Sequence, residues 1–195
     1  MLQSQIRTSL VETTPPTVEP ISLEEAKLWL RVDHTEEDDL ITELEKSARR
    51  SCEAFTRRSF INTTWTLKLD EFPSAECRTS LASISSARSD EITLPRSPLS
   101  SVTSITYTDT DGNTQTVSAS NYTVDTGSEP GRVVPAFNAF WPLTRNVINA
   151  VSVLHVSGYG AAETSVPSGL KIAIRVLMAD LYEERGSFVV GTVVS

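Results

Sequence analysis

The spacing of apolar residues changes twice along the chain. Between Ser22 and Thr56, apolar positions recur every three or four residues, which is typical of helices that bury one face. From about Ile61 to Gly160, short runs alternate apolar residues with Ser and Thr and are separated by Gly and Pro, which is typical of antiparallel strands. A last helical stretch, from Pro167 to Glu184, is apolar on more than one face. The pattern predicts an α+β fold, in which an N-terminal helical hairpin and a C-terminal helix form a small helical bundle and an antiparallel β-sheet or barrel-like module is inserted between them.

Capping signals place the starts of the first two helices. Ser22 and Glu25 form a capping box, and Thr35 with Asp38 forms a second one. The first helix is predicted to end near Val32. The apolar stripe of the second helix consists of Leu40, Ile41, Leu44, Ala48, Cys52 and Phe55.

These signals divide the chain into five segments. Prolines at positions 15, 16 and 20 exclude a helix at the N-terminus, so this part is predicted to be extended. The segments are an extended N-terminal arm (1–20), the helical hairpin (21–60), the inserted β module (61–160), a C-terminal helix that packs on the hairpin (161–186) and a short tail (187–195). The strands predicted for the β module lie at 64–69, 91–94, 102–108, 114–117, 122–125, 132–135 and 151–157.

Charge and cysteine usage narrow the possible functions. The 195 residues include 25 acidic and 17 basic side chains, which gives a net charge of −8. A protein that grips the nucleic-acid backbone nonspecifically needs a basic surface, so the net charge argues against that class. Cys52 and Cys77 are not in a CxxC pair, and we expect free thiols in a reducing compartment. The sequence shows neither an apolar signal core nor a long apolar run, so we expect neither secretion nor a membrane partner.

No motif in the chain predicts catalysis, a cofactor or a metal ion. His34 and His155 have no second ligand at metal spacing, so both are interpreted as surface or structural histidines. Asp109–Asn113 resembles the start of a calcium loop, but the later bidentate glutamate is absent and a hairpin turn explains the segment better. The acidic run Glu36–Asp39 could supply the paired carboxylates of a hydrolase. Consecutive acids in a first helical turn point in different directions, however, so helix capping is the better explanation.

Two groups of residues are candidates for contacts between copies of the chain. The arginines at positions 49, 50, 57 and 58 could touch phosphate or pair with the acidic run of a neighbouring copy, and the overall acidity favours the second interpretation. The last helix has a wider apolar surface than one core face needs, which suits burial against both the hairpin and a neighbouring subunit. The candidate subunit interface consists of Glu36, Glu37, Asp38, Asp39, Arg49, Arg50, Arg57, Arg58, Ile172 and Val176.

The tail and one aromatic loop are candidates for binding other molecules. An apolar, β-prone tail is an exposed liability alone in water and a binding element when it docks on a partner. Its apolar residues are Phe188, Val189, Val190, Val193 and Val194. Trp141, in the aromatic segment Phe137–Pro142, could form a platform for a sugar or a peptide, or could pack over the edge of the sheet. A soluble carbohydrate- or peptide-binding module that uses this loop is therefore an alternative function.

Several segments together resemble a known family. Ile21–Asp33 (ISLEEAKLWLRVD) and the acidic Glu36–Ile41 resemble the opening of head–tail connector (adaptor) proteins of tailed bacteriophages. Further segments resemble the longer members of that family, which carry an inserted β region: 94–99 (LPRSPL), 102–107, 139–142 (AFWP), 156–160 (VSGYG), 166–174 (VPSGLKIAI) and 181–185 (LYEER). They follow the family's order from about residue 21 to 191.

The resemblance implies a structural, non-enzymatic protein that forms a ring, usually of about twelve copies, below the portal of the capsid. Such a ring extends the channel for double-stranded DNA, which passes without specific binding. It also provides the attachment platform for the tail, a stopper or a tail-completion protein. In the family the C-terminal segment commonly docks on the portal, which here maps onto residues 187–195. The resemblance thus implies a place in the virion neck between portal and tail, and in the host cytoplasm during assembly.

Overall fold

The computed structural model describes residues 7–73 and 90–184. These residues contain three α-helices and eight strands. The helices are α1 (Leu23–Leu30), α2 (Asp38–Thr56) and α3 (Ser168–Glu183). The strands are β1 (Thr8–Thr14), β2 (Thr63–Leu69), β3 (Ile92–Leu94), β4 (Leu99–Thr108), β5 (Thr114–Thr116), β6 (Tyr122–Asp125), β7 (Gly131–Pro135) and β8 (Val151–Ser157). All eight strands pair antiparallel, one before α1 and seven between α2 and α3, so the predicted α+β class is confirmed.

The strands form two sheets rather than one. The larger has the order β1-β2-β8-β4-β5, and the smaller has the order β3-β7-β6. β8 lies at the centre of the larger sheet and pairs with β2 on one side and β4 on the other. Apolar side chains from both sheets pack in one core because the strands alternate buried and less buried positions. Its buried members are Leu67, Leu69, Phe72, Ile92, Leu94, Leu99, Ile105, Val117, Val133, Val151 and Val153.

The predicted N-terminal arm is extended, but part of it belongs to the larger sheet. Thr8–Thr14 is an edge strand, paired with β2 from Thr8 opposite Leu69 to Thr14 opposite Thr64. Leu10 packs against the sheet core. The expectation for this region came from its prolines alone, whereas its Val- and Thr-containing run favours a strand.

The helices enclose a second core. α2 packs on α3, and α1 contacts both. Because each helix turns one apolar face inward, the bundle excludes water from a continuous cluster. Its buried members are Ile21, Ala26, Ile41, Ala48, Phe60, Ile61, Val166, Ile174 and Met178.

The helix ends differ partly from the prediction. The first capping box is present, because the Ser22 hydroxyl accepts from the backbone N–H of Glu25 at 3.2 Å. The second is wrong: α2 begins at Asp38 and no side chain caps it. The Asp38 carboxylate instead accepts from the Lys27 ammonium of α1 at 2.7 Å, which ties the two helices together. Thr35 and the two residues after it form a turn, closed by a bond from the Asp38 N–H to the Thr35 carbonyl.

Gly158, at the end of β8, joins the two cores. Its φ of +149° and the space around it require glycine, since a Cβ there would lie 2.5 Å from the carbonyl carbon of Ile61. This close approach brings the segment after β8 next to the segment before β2. The Asn62 N–H therefore donates to the Gly160 carbonyl at 2.9 Å. The Tyr159 N–H donates to the Phe60 carbonyl at 3.2 Å. The glycine therefore allows the end of β8 to pack closely against the segment that follows α2.

Candidate functional site

The acidic run at the start of α2 does not form a paired catalytic site. Glu36 pairs with His34 at 3.0 Å, and Glu37 accepts a hydrogen bond from the Tyr182 hydroxyl of α3. Asp38 pairs with Lys27, and Asp39 is exposed on the outward side of the helix. A hydrogen bond from its own backbone N–H, with a smaller contribution from His34, lowers the pKa of Glu36. Glu37 also lies 3.9 Å from His34, so Glu36 and Glu37 approach the same histidine, whereas Asp38 turns to α1 and Asp39 faces outward.

Arg49 is buried inside the chain, which removes it from the candidate subunit interface. Its side chain is 6% exposed, and its Nε lies 2.6 Å from the Glu19 carboxylate. One terminal nitrogen lies 2.7 Å from the carboxylate of Glu53, which also accepts from the Phe60 N–H at 2.7 Å. Burial raises the pKa of Glu53 despite the neighbouring guanidinium. The cluster fastens the segment that precedes α1 to the middle of α2.

Glu45 lies one turn before Arg49 on the same buried stripe. It is 2% exposed, and its carboxylate accepts a hydrogen bond from the Ile21 N–H at 3.3 Å. Burial, and next the charge of Glu19, raise the pKa of Glu45 to about 7. This residue was not among the predicted sites, although its position four residues after the buried Ile41 was a signal of burial.

Arg58 is also held within the chain. It pairs with Glu129, next to the turn between β6 and β7, and donates to the Tyr159 hydroxyl at 2.9 Å. The hydrogen bonds to Glu129 raise the pKa of Arg58. Of the four arginines, Arg50 and Arg57 are exposed, and neither makes a salt bridge to any residue in the described part of the chain. These two remain accessible to a partner.

The outward face of α2 carries acids at its N-terminal end and bases at its C-terminal end. Asp39, Glu43, Lys46 and Arg50 follow at spacings of four, three and four residues, so they share one stripe. Arg57 follows at the C-cap, in the left-handed region with φ of 56°. The acids lie at the positive end of the helix dipole and the bases at its negative end. The acidic end of the helix is therefore also opposite in charge to the basic end. We call these five residues the charged stripe.

A second surface lies where α1 meets α3. Ile172 and Val176 are half exposed on one face of α3, and Arg175 of the same face lies over the Trp29 ring at 5.9 Å. Arg175 also donates to the Glu25 carboxylate at 2.8 Å. Leu28, beside Trp29, is 81% exposed. We call Leu28, Trp29, Ile172 and Val176 the helical apolar patch.

The aromatic loop joins β7 to β8, and its tryptophan is partly buried against the sheet core. The Trp141 ring stacks on Phe72 with centroids 4.9 Å apart and an angle of 4°, and its Nε1 donates to the Asp90 carbonyl at 2.7 Å. Trp141 therefore packs over the sheet and gives one ring face to Phe72, which weakens the binding-module alternative. Four other side chains of the loop point outward instead. They are Phe137, Phe140, Leu143 and Ile148, each more than four-fifths exposed. Phe137, Phe140 and Leu143 line one hollow, and we call these three the aromatic-loop patch.

The buried histidine and the segment that resembles a calcium loop both make contacts that support the fold. His155 is fully buried in β8, and burial lowers its pKa, although the carbonyls of Val153 and Pro95 oppose the shift. In the segment that resembles a calcium loop, the Asp109 carboxylate accepts from the backbone N–H groups of Asp111 and Asn113, as in a tight hairpin turn. No group of His, Cys, Asp and Glu side chains suited to a metal ion occurs within residues 7–73 and 90–184. In the same ranges no helix is both long and apolar enough to cross a bilayer.

The predicted docking tail cannot be placed. Phe188, Val189, Val190, Val193 and Val194 lie outside the described residues, as does Cys77.

Comparisons with known proteins identify one family and one group of structures. The family model described as phage gp6-like head-tail connector protein matches residues 20–129. No curated protein matches the chain. Among solved structures, a chain in the virion of a native gene transfer agent (GTA) particle is 22% identical, with a TM-score of 0.74 over 94% of this chain and 89% of that one. A chain in the neck of an empty GTA particle, computed with C6 symmetry, is 20% identical, with a TM-score of 0.75 over 94% and 88%. A chain in the neck of a native GTA particle, computed with C12 symmetry, is also 20% identical, with a TM-score of 0.67 over 95% and 88%.

Proposed function

The chain belongs to the phage gp6-like head-tail connector family and is a structural connector between head and tail, and from this premise we propose that it acts as a ring in the virion neck. The ring sits below the portal and extends the channel through which double-stranded DNA passes. Its far side is the platform to which the tail, a stopper or a tail-completion protein attaches. The chain reaches this position from the host cytoplasm during assembly.

The family match carries the proposal. It covers α1, α2 and the strands from β2 to β6, and so includes both the helical hairpin and most of the inserted module. The likeness of the fold to chains in GTA particles, over 94% of this chain and more, supports the same location. A ring of about twelve copies accords with the C12 symmetry of one of those neck structures.

The charge of the protein suits a DNA channel. A net charge of −8 gives a wall that repels the phosphate backbone, so packaged DNA can slide past without adhering. The role is structural and needs no catalytic residue or cofactor.

Two surfaces of the helical bundle form the proposed contact between neighbouring subunits. The acids at the start of the charged stripe and the exposed Glu36 face Arg50 and Arg57 of the next copy. The helical apolar patch, with Ile172 and Val176, supplies the apolar part of this contact. Arg49, Asp38, Glu37 and Arg58 are engaged within their own chain and support the fold of each subunit instead.

The C-terminal tail is the proposed portal-docking segment. α3 ends at Glu183, and the apolar segment begins at Phe188, five positions further along the sequence. An apolar, β-prone segment gains stability by ordering on a partner, at an entropic cost that the new contacts offset.

Deleting the gene for this chain from its phage tests the proposed function. We expect heads that package DNA but carry no tails, because the portal and tail would have no connector between them. Electron microscopy of the lysate counts the tailed particles, and supplying the wild-type chain from a plasmid should restore them. Normal tailed particles from the deletion strain would contradict the proposal.

A further inference from the structure

We propose that the aromatic-loop patch is the docking site for the tail-side protein that attaches to the connector ring, and that this partner presents an apolar pocket bordered by basic side chains. The inference rests on the proposed function and extends it by assigning the tail platform to named residues. It assigns a partner to a surface that the helical bundle does not use.

The patch is large and strongly exposed. Phe137 is 94% exposed, Phe140 87% and Leu143 82%, and the three line the same hollow. Soluble proteins rarely leave several large apolar side chains together in water unless a partner covers them. Aromatic side chains are also enriched among the residues that dominate binding energy at protein interfaces.

The loop that carries the patch is anchored at several points. The Ala136 N–H donates to the Asn121 carbonyl at 3.0 Å, and the Arg145 N–H donates to the Thr108 carbonyl at 3.0 Å. The Asn149 N–H donates to the Asp70 carboxylate at 2.9 Å, and Trp141 is stacked on Phe72 between these ends. A loop held in this way presents its outward side chains with little entropy left to lose on binding.

The charges around the patch define the chemistry of the partner. Asp70 bonds directly to the loop, and Glu71 and Asp90 line the same hollow as Phe137 and Phe140, a depression of about 820 Å³. Arg145 is the only charged residue of the segment 136–149. An apolar centre with acidic neighbours is complementary to an apolar pocket with a basic border.

Other occupants fit less well. The same patch of a second copy would bring like charges together, because Asp70 and Glu71 border the patch on each copy. A membrane with anionic lipids would repel the acidic border. A sugar platform at Trp141 would be limited to one ring face of a partly exposed side chain, because Phe72 covers the other face.

The test is complementation of the phage that lacks this gene with a Phe137→Ser/Phe140→Ser double variant of the full chain. A Phe137→Leu/Phe140→Leu variant, which keeps the patch apolar, is the matched control. Tailed particles are counted by electron microscopy, and purified heads are probed for the bound connector. Thermal unfolding of the purified chains shows whether the substitutions disturb the fold.

We expect the Ser variant to unfold at the same temperature as wild type, to remain on heads and to reduce the number of tailed particles by at least about tenfold. The Leu variant should tail heads normally. Normal tailing by the Ser variant would overturn the inference. So would loss of the Ser variant from heads, since the patch would then serve the head side or a neighbouring copy. A fall in its unfolding temperature would also overturn it, since the patch would then be covered by its own chain. Absence of the wild-type chain from heads would instead contradict the proposed function itself.

Discussion

At the scale of single residues, the buried charges beside Ile21 make the stability of the protein depend on pH. Glu45 is buried next to Glu19 and Arg49, and its pKa is raised to about 7. In the unfolded chain the same carboxyl loses its proton near pH 4.5. Between these values the native state holds a proton that the unfolded state has lost, so rising pH destabilises the native state.

We therefore expect Glu45→Gln to stabilise the protein in a pH-dependent way. The variant should match wild type near pH 4.5 and gain progressively up to pH 7, reaching about 3 kcal/mol in free energy of unfolding at pH 8. Urea unfolding at several pH values measures this difference. The buried His155, whose lowered pKa costs stability as pH falls below 6.5, contributes equally to both proteins and cancels.

Glu43→Gln is the matched control for Glu45. Glu43 lies two residues earlier on the same helix, but its side chain is 73% exposed and pairs with Lys46. The Glu43→Gln substitution should change the free energy of unfolding little. It should also show no increase in that change between pH 4.5 and 7. A Glu45→Gln variant whose unfolding free energy parallels wild type at every pH would show that Glu45 is ionised in the folded protein.

Gly158 is the residue on which the joint between sheet and bundle depends. Because a Cβ there meets the backbone of Ile61 and Asn62, Gly158→Ala should cost roughly 3 kcal/mol, or about 6–12 °C in Tm. Gly169→Ala is the control, since a Cβ at that position would have no neighbour within 4 Å and alanine favours the helix. Calorimetry of both variants measures the difference, and equal Tm values would refute the close-approach account.

At the scale of elements, helix existence was predictable and helix boundaries were less so. Of the six positions predicted for the apolar stripe of α2, those at 41, 44, 48 and 52 face the helical core over about three turns, whereas Leu40 and Phe55 are exposed. The start of α2 was predicted three residues early, since the sequence does not reveal that Lys27 occupies the Asp38 carboxylate. Both α1 and α2 end at an arginine in the left-handed conformation, a position where glycine is the usual signal.

For the strands, bounds were predictable where turns mark them, whereas the pairing of distant strands was not. β6 and β8 were predicted with the observed bounds because turns flank them on both sides. The pairing of β1 with β2 joins residues that are 50 to 61 positions apart, and nothing in the local pattern encodes that pairing. Burial of Arg49 was hidden for the same reason, since Glu19 approaches it from a separate segment.

The charged stripe of α2 supports a prediction about subunit contacts. An Arg50→Glu/Arg57→Glu variant should fail to assemble on the portal, because acids would then face the acidic end of the next copy. Adding Glu36→Arg and Asp39→Arg to the same chain should restore assembly, since the swapped ends are complementary again. Sedimentation of each variant with purified portal measures assembly, and circular dichroism checks the fold. Wild-type assembly by the first variant would remove the stripe from the interface.

At the scale of the whole molecule, the ordered set of motifs was more informative than any one of them. The segments that resemble the connector family, in matching order from about residue 21 to 191, predicted that family, and the match over residues 20–129 confirms it. Surface roles were harder to predict, because the sequence does not show which charges are satisfied within the chain. The aromatic segment illustrates this limit: it marked Trp141, whereas the exposed residues are its neighbours Phe137 and Phe140.

The most direct test of the connector account is the mass of the complex that the purified chain forms with its phage's portal ring. Mass photometry should show one saturating species, heavier than the portal by a whole number of chains and close to one chain per portal subunit. A chain that lacks residues 187–195 should keep its unfolding temperature but lose this complex, if the tail is the docking segment. A folded full-length chain that leaves the portal mass unchanged, even in large excess, would contradict the account.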